Sequence, residues 1–100
     1  MLVHAVYFTL RADLPDADRT RFVAWQPKLC ALPTVRAGYS GVPAATDRTV
    51  IDRAYTHALV LLFDDEAAEQ AYQVHPEHDR FREECGTFWE KVRVFDSVTA

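Results

Sequence analysis

Three of the four histidines in this 100-residue chain fall in one stretch, residues 55–81, YTHALVLLFDDEAAEQAYQVHPEHDRF. Tyr72 and His78 stand on either side of Pro76 within it. A histidine is neutral near pH 7 without perturbation, so it can act as a general base. A tyrosine hydroxyl nearby can donate a hydrogen bond to a developing negative charge. The proline break can turn both side chains toward one cavity, and an apolar lining would strengthen both interactions by excluding water. The structural alternatives stand beside this. Tyr72 can be core packing with its hydroxyl at the surface. His78 can bond a backbone carbonyl, and His4 and His57 can be satisfied packing residues of strands. His75, just before a proline, suits a helix N-cap.

Other chemistries have less support. His75-x-x-His78, with Glu77 and Asp79 nearby, offers ligand types. A capping position and a helical one need not converge, however, and no third ligand is spaced to complete the set, so no metal is expected. Three scattered glycines cannot cradle a phosphate. Neither cysteine neighbours a histidine, and no nucleophile elbow is present. No cofactor is expected.

The elements that would position these residues follow from periodicity. Leu2 to Leu10 alternates with both faces largely apolar, as in a central strand covered on both sides. A helix is expected from Asp16 to Leu32, with Asp13 or Asp16 accepting from its free amides and Phe22, Trp25, Leu29 and Leu32 on its buried stripe. Pro27 should kink or break it near Gln26. Val35 to Val42 reads as a weak strand, with Gly38 and Gly41 marking bulges or an edge. Pro43 to Asp52 is a polar loop. Tyr55 to Phe63 is the strongest strand, with Tyr55, His57, Leu59, Leu61 and Phe63 on one face. Asp64 and Asp65 should cap a helix over Glu66 to Val74. Pro76 to Cys85 is the next helix, stopped at Gly86, with His78, Phe81, Cys85 and Phe88 on its inward stripe. Lys91 to Val98 is the last strand, with Val92, Val94 and Val98 on one face and Phe95 on the other. The fold class is α+β: one ferredoxin-like β-α-β-β-α-β domain over residues 1–100, its second helical region split in two. The sheet face away from the helices is apolar too, and a second copy would cover it.

Composition sets outer limits. A net charge of −4 without a Lys/Arg cluster gives no electrostatic footprint for nucleic acid or anionic lipid. The longest apolar run, Ala58 to Phe63, is far short of a membrane span. The apolar N-terminus lacks a basic leader and a small-residue cleavage site, so it reads as a first strand rather than a signal peptide. Cys30 and Cys85, far apart and without CxxC spacing, read as two buried thiols in a reducing cytoplasm, although spacing alone leaves a disulfide open.

HAVYFTL at 4–10, YTHALVLLFDD at 55–65, AYQVHPEHDRF at 71–81 and VRVFD at 92–96 resemble the stress-responsive A/B barrel (Dabb) family from end to end. The resemblance implies a ferredoxin-like unit that dimerises face to face into an α+β barrel, hence a homodimer. It is similar to the plant polyketide cyclases of that family, which close a linear poly-β-ketone by aldol condensation without cofactor or metal. It implies His78 as base and Tyr72 as its partner, with His4, His57, Leu59, Leu61, His75 and Phe81 at pocket positions. Gln26 and Pro27 depart from the cyclase pattern on helix 1. Three readings follow: a cofactor-free acid/base enzyme on a mostly apolar, carbonyl-containing small molecule; a non-catalytic stress-related module that binds a ligand or partner; and a monooxygenase-like enzyme on the same barrel.

Overall fold

A computed structural model of the chain describes residues 1–100. The elements run β1 (Leu2–Leu10), α1 (Asp16–Cys30), β2 (Ala37–Gly41), β3 (His57–Phe63), α2 (Glu66–Gln73), α3 (Pro76–Cys85) and β4 (Trp89–Val98). The strands form one antiparallel sheet in the order β2-β3-β1-β4. This is the expected ferredoxin-like arrangement, its second helix divided at Pro76.

The core lies between one sheet face and the helices. Leu2, His4, Val6, Phe8 and Leu10 of β1 are buried, while Val3, Ala5, Tyr7 and Thr9 on the other face are half-buried. The register carries this division across the sheet: His4 stands opposite Leu61 and Asp96, and Val6 opposite Leu59 and Val94. Phe22, Trp25 and Leu29 of α1, Tyr72 of α2, and Phe81 and Cys85 of α3 close over it. The Trp25 indole nitrogen donates to the Glu84 carboxylate at 2.6 Å, joining α1 to α3. Gly38 takes the close approach of the end of α1 onto β2. A Cβ there would stand 2.7 Å from the Cys30 Cβ and 2.8 Å from its Cα.

The structure corrects several local expectations. Pro27 lies inside α1 without breaking it. Its ring is at the exposed surface, while the buried stripe on either side holds the helix to the core. The helix ends at Cys30 rather than Leu32, its last turn tightened by a Leu32 N–H to Leu29 carbonyl bond. Neither Asp13 nor Asp16 caps α1; Pro15 is the N-cap, without a side-chain bond. Arg19 instead ties down the preceding turn, donating to the Arg11 carbonyl at 2.7 Å. Asp65 caps α2 as expected, accepting from Ala68 N–H at 2.9 Å, but Asp64 pairs with Arg36 at 3.1 Å. Of the two readings of Gly38 and Gly41, the edge holds and the bulge does not: β2 is an edge strand in continuous register. Tyr55 precedes β3 and escapes its alternation: its ring meets Tyr7 at 5.0 Å, on the face opposite His57. Val92, Val94 and Val98 share the helix-side face but remain 42%, 49% and 66% exposed, because β4 is the edge strand beyond the helices. Cys30 is half-buried, Cys85 is buried, and both thiols are free. No helix is long and apolar enough to cross a membrane.

Candidate functional site

His78 sits in the first turn of α3, and its side chain reaches the core because Phe81 and Cys85 share its stripe. Pro76 opens this helix, and His75 before it adopts extended backbone, as a pre-proline residue must. The chain direction therefore changes between Tyr72 at the end of α2 and His78 at the start of α3. The two rings meet edge to face, centroids 4.7 Å apart at 70°. Both are buried. The His78 Nδ1 is buried and has no hydrogen-bond partner. Burial, with a smaller contribution from the Arg82 charge, pushes the His78 pKa down to about 4, so the imidazole is neutral at pH 7. Burial also raises the Tyr72 pKa well above the ordinary phenol value and keeps its hydroxyl protonated. A neutral imidazole and a protonated phenol side by side supply a base and a hydrogen-bond donor, although the lowered pKa makes this imidazole a weaker base than an unperturbed histidine.

Strand β1 brings His4 to the same cluster, its ring 6.0 Å from Tyr72 and 6.4 Å from Phe63. The His4 Nδ1 lies 2.6 Å from Asp96 Oδ1 on β4. Glu69, one helical turn before Tyr72 on α2, is also buried here. Only Gln73 reaches it, by a 3.4 Å bond to Oε1, and its Oε2 is buried without a partner. Sequence reasoning passed over Glu69 and Asp96. Glu69 had a readable signal, since it stands three residues before Tyr72 on an amphipathic helix. Asp96 had none, because only the register of β4 against β1 places it beside His4.

The other expected pocket residues divide. Leu61, opposite His4, is buried with Phe63 and Tyr72, and Leu59 is buried nearer the middle of the sheet. Phe81 lies between His78, 6.5 Å away, and an aromatic group of Phe8, Phe22, Trp25 and Trp89. His75 is the α3 N-cap, its Nδ1 accepting from Glu77 N–H at 3.0 Å. His57 stands toward the other end of β3, against Phe22 at 5.1 Å, with Nδ1 3.0 Å from Thr56 Oγ1. Burial lowers its pKa. It shares a cleft of about 190 Å³ with Gln26, Val23, Ser40, Gly41, Val42 and Ala58, apart from His78. Gln26 is itself buried, donating to the Phe22 carbonyl while its own Oε1 is unpartnered. A larger cavity, about 360 Å³, lies on the open sheet face between Tyr7, Tyr55 and Phe95, with Asp52 and Arg93 at its polar side. Both cavities lie away from His78. Around that ring the aromatic side chains of Tyr72 and Phe81 pack at 4.7 and 6.5 Å, with Phe63 behind Tyr72 at 5.4 Å.

A family model described as the Stress responsive A/B Barrel Domain matches residues 2–99. Olivetolic acid cyclase of Cannabis sativa is 24% identical over 94 residues, covering 93% of this chain and 91% of the cyclase. Among solved structures, a dimeric ferredoxin-like protein of unknown function from Thermobifida fusca superposes with a TM-score of 0.78 at 19% identity, covering 98% of this chain and 90% of that one. A hydroxynitrile lyase from Passiflora edulis superposes with a TM-score of 0.79 at 22% identity, covering 99% of this chain and 93% of the lyase.

Proposed function

The chain belongs to the stress-responsive A/B barrel family, and from that premise we propose that it is a dimeric, cofactor-free acid/base enzyme acting on a carbonyl-containing, mostly apolar small molecule. The observation that carries this reading is the buried, unpartnered Nδ1 of a neutral His78 set against Tyr72. Buried polar atoms are nearly always satisfied, and an exception of this kind suits an atom held ready for a ligand. In the proposed step His78 removes a proton from the carbon alpha to a carbonyl, and Tyr72 donates a hydrogen bond to the enolate oxygen. The carbanion carbon is then free to attack a second carbonyl, as in an aldol closure. Support also comes from the relatives, a cyclase and a lyase by name. The two free thiols fit a reducing compartment such as the cytoplasm.

Exchange of the α-protons of a poly-β-ketone or simpler β-diketone in deuterated water, followed by NMR, tests the step without presuming the product. The wild type should accelerate exchange, and His78→Gln should lower the enzymatic rate by roughly 100- to 10,000-fold, the usual worth of a general base. The reading is overturned if the wild type accelerates no exchange, or if His78→Gln loses its fold in step with its rate.

A second reading, a module that binds a ligand without turnover, is favoured by the close packing around His78 and by the about 360 Å³ cavity on the open face. Saturable binding of a small aromatic ligand, sensitive to Tyr7→Ala and indifferent to His78→Gln, would select it.

A further inference from the structure

His4, Glu69 and Asp96 come from β1, α2 and β4, and one donor atom of each lies within 4.8 Å of the others. His4 and Glu69 are 6% and 7% exposed, whereas the Asp96 side chain is 48% exposed and opens the group to solvent. A buried carboxylate oxygen without a partner bears its full desolvation penalty. Glu69 Oε2 is such an atom, and its neighbour Oε1 has only the long contact from Gln73. Two carboxyl groups and one imidazole converge there, a donor set whose charge a divalent cation can offset.

We propose that His4, Glu69 and Asp96 form a binding site for a divalent transition-metal ion of the zinc or manganese type. One imidazole nitrogen and two carboxylate oxygens suit such an ion better than magnesium or calcium, which prefer oxygen alone. The ion would take the place of the proton in the 2.6 Å contact between His4 and Asp96, and would draw in the free Glu69 oxygen. Ligands at about 2.0–2.2 Å from an ion require that contact to open slightly and Glu69 to close in. The exposed side of Asp96 leaves a position for water. The group is distinct from the His75 and His78 pair that the sequence offers, since His75 is engaged as a cap. The inference does not depend on turnover.

Calorimetric titration of the purified chain with zinc and with manganese near neutral pH tests it, with magnesium and calcium as separate arms. One zinc or manganese ion per chain should bind, and magnesium and calcium much more weakly. Glu69→Gln and Asp96→Asn should each weaken binding by at least the roughly tenfold to hundredfold lost when an outer-shell partner is removed. Zinc should raise the wild-type melting temperature, as any ligand of the folded state does, and should not raise that of Glu69→Gln. Glu69→Gln keeps the shape and removes an uncompensated charge, so without metal it should melt no lower than the wild type. Absence of saturable zinc or manganese binding would overturn the site. So would equal affinity in wild type and both variants, which would place the ion at a cysteine or another histidine.

Discussion

Desolvation keeps the His78 ring neutral in the folded chain down to about pH 4, and this ties stability to pH. The unfolded chain takes up the proton near the ordinary value of 6.5. Above 6.5 the ring is neutral in both states and its contribution is whole. Between 6.5 and about 4 only the unfolded state binds the proton, so stability falls as pH falls. Below about 4 both states are protonated and the loss is complete. The expected loss across this window is roughly 3 kcal/mol. Urea unfolding at a series of pH values should show it, and His78→Gln should flatten the slope there while leaving the carboxylate-driven loss at lower pH. An unchanged slope in the variant would mean that the ring is not desolvated. The Tyr72 and His78 pairing is legible in the sequence, because His78 sits on an inward stripe and Pro76 turns the chain between the two residues. The His4 and Asp96 contact is not, since it joins residues 92 positions apart through strand register alone. The crowding around His78 is equally hidden. Spacing assigns Phe63, Tyr72 and Phe81 to one interior, and only three-dimensional packing decides whether they line a space or fill it.

At the scale of elements, α1 carries a local conflict that tertiary packing overrides. Pro27 supplies no N–H for the Val23 carbonyl and crowds that turn, yet the helix continues from Asp16 to Cys30. Phe22, Trp25 and Leu29 hold it in place from the buried side, and the Trp25 bond to Glu84 fixes it to α3. Pro27→Ala restores the missing bond and removes the crowding, worth about 3 kcal/mol in a helix interior. It also frees the unfolded chain, which returns about 0.4–1 kcal/mol. The net expectation is a gain of about 2 kcal/mol, read as a rise in urea midpoint with unchanged slope. A neutral or lower midpoint would mean that the surrounding structure is fitted to the proline ring. The strands and the paired helices α2 and α3 were readable from period and breakers. At Pro27, where α1 does not break, and at Tyr55, which leaves the alternation of β3, a long-range contact outweighs a local rule. For Tyr55 that contact is Tyr7, on a strand nearly fifty residues earlier in the chain.

For the whole molecule, the open sheet face decides the assembly. Tyr7, Tyr55 and Phe95 form an aromatic group there, with Val3 and Ala5 half-buried alongside and Phe95 52% exposed. The neighbouring edge strand β4 exposes Val92, Val94 and Val98 on its other side. A hundred-residue domain buries only about 60–65% of its unfolded surface, so it has little stability to spare for so much wetted apolar area. A second copy laid on this face would remove the patch from water and enclose the about 360 Å³ cavity between the subunits. The wild type should therefore run as a dimer in light scattering, with a melting temperature that rises with protein concentration. Phe95→Asp would bury an unpaired charge in the dimer but leave it in water in the monomer, so it should shift the protein to monomer and abolish that concentration dependence. Val50→Asp, at a position 82% exposed outside the sheet, should change neither. A wild type that stays monomeric at every concentration, or a Phe95→Asp chain as dimeric as its parent, would show that the open face meets water in solution and that the cavity on it is a surface groove.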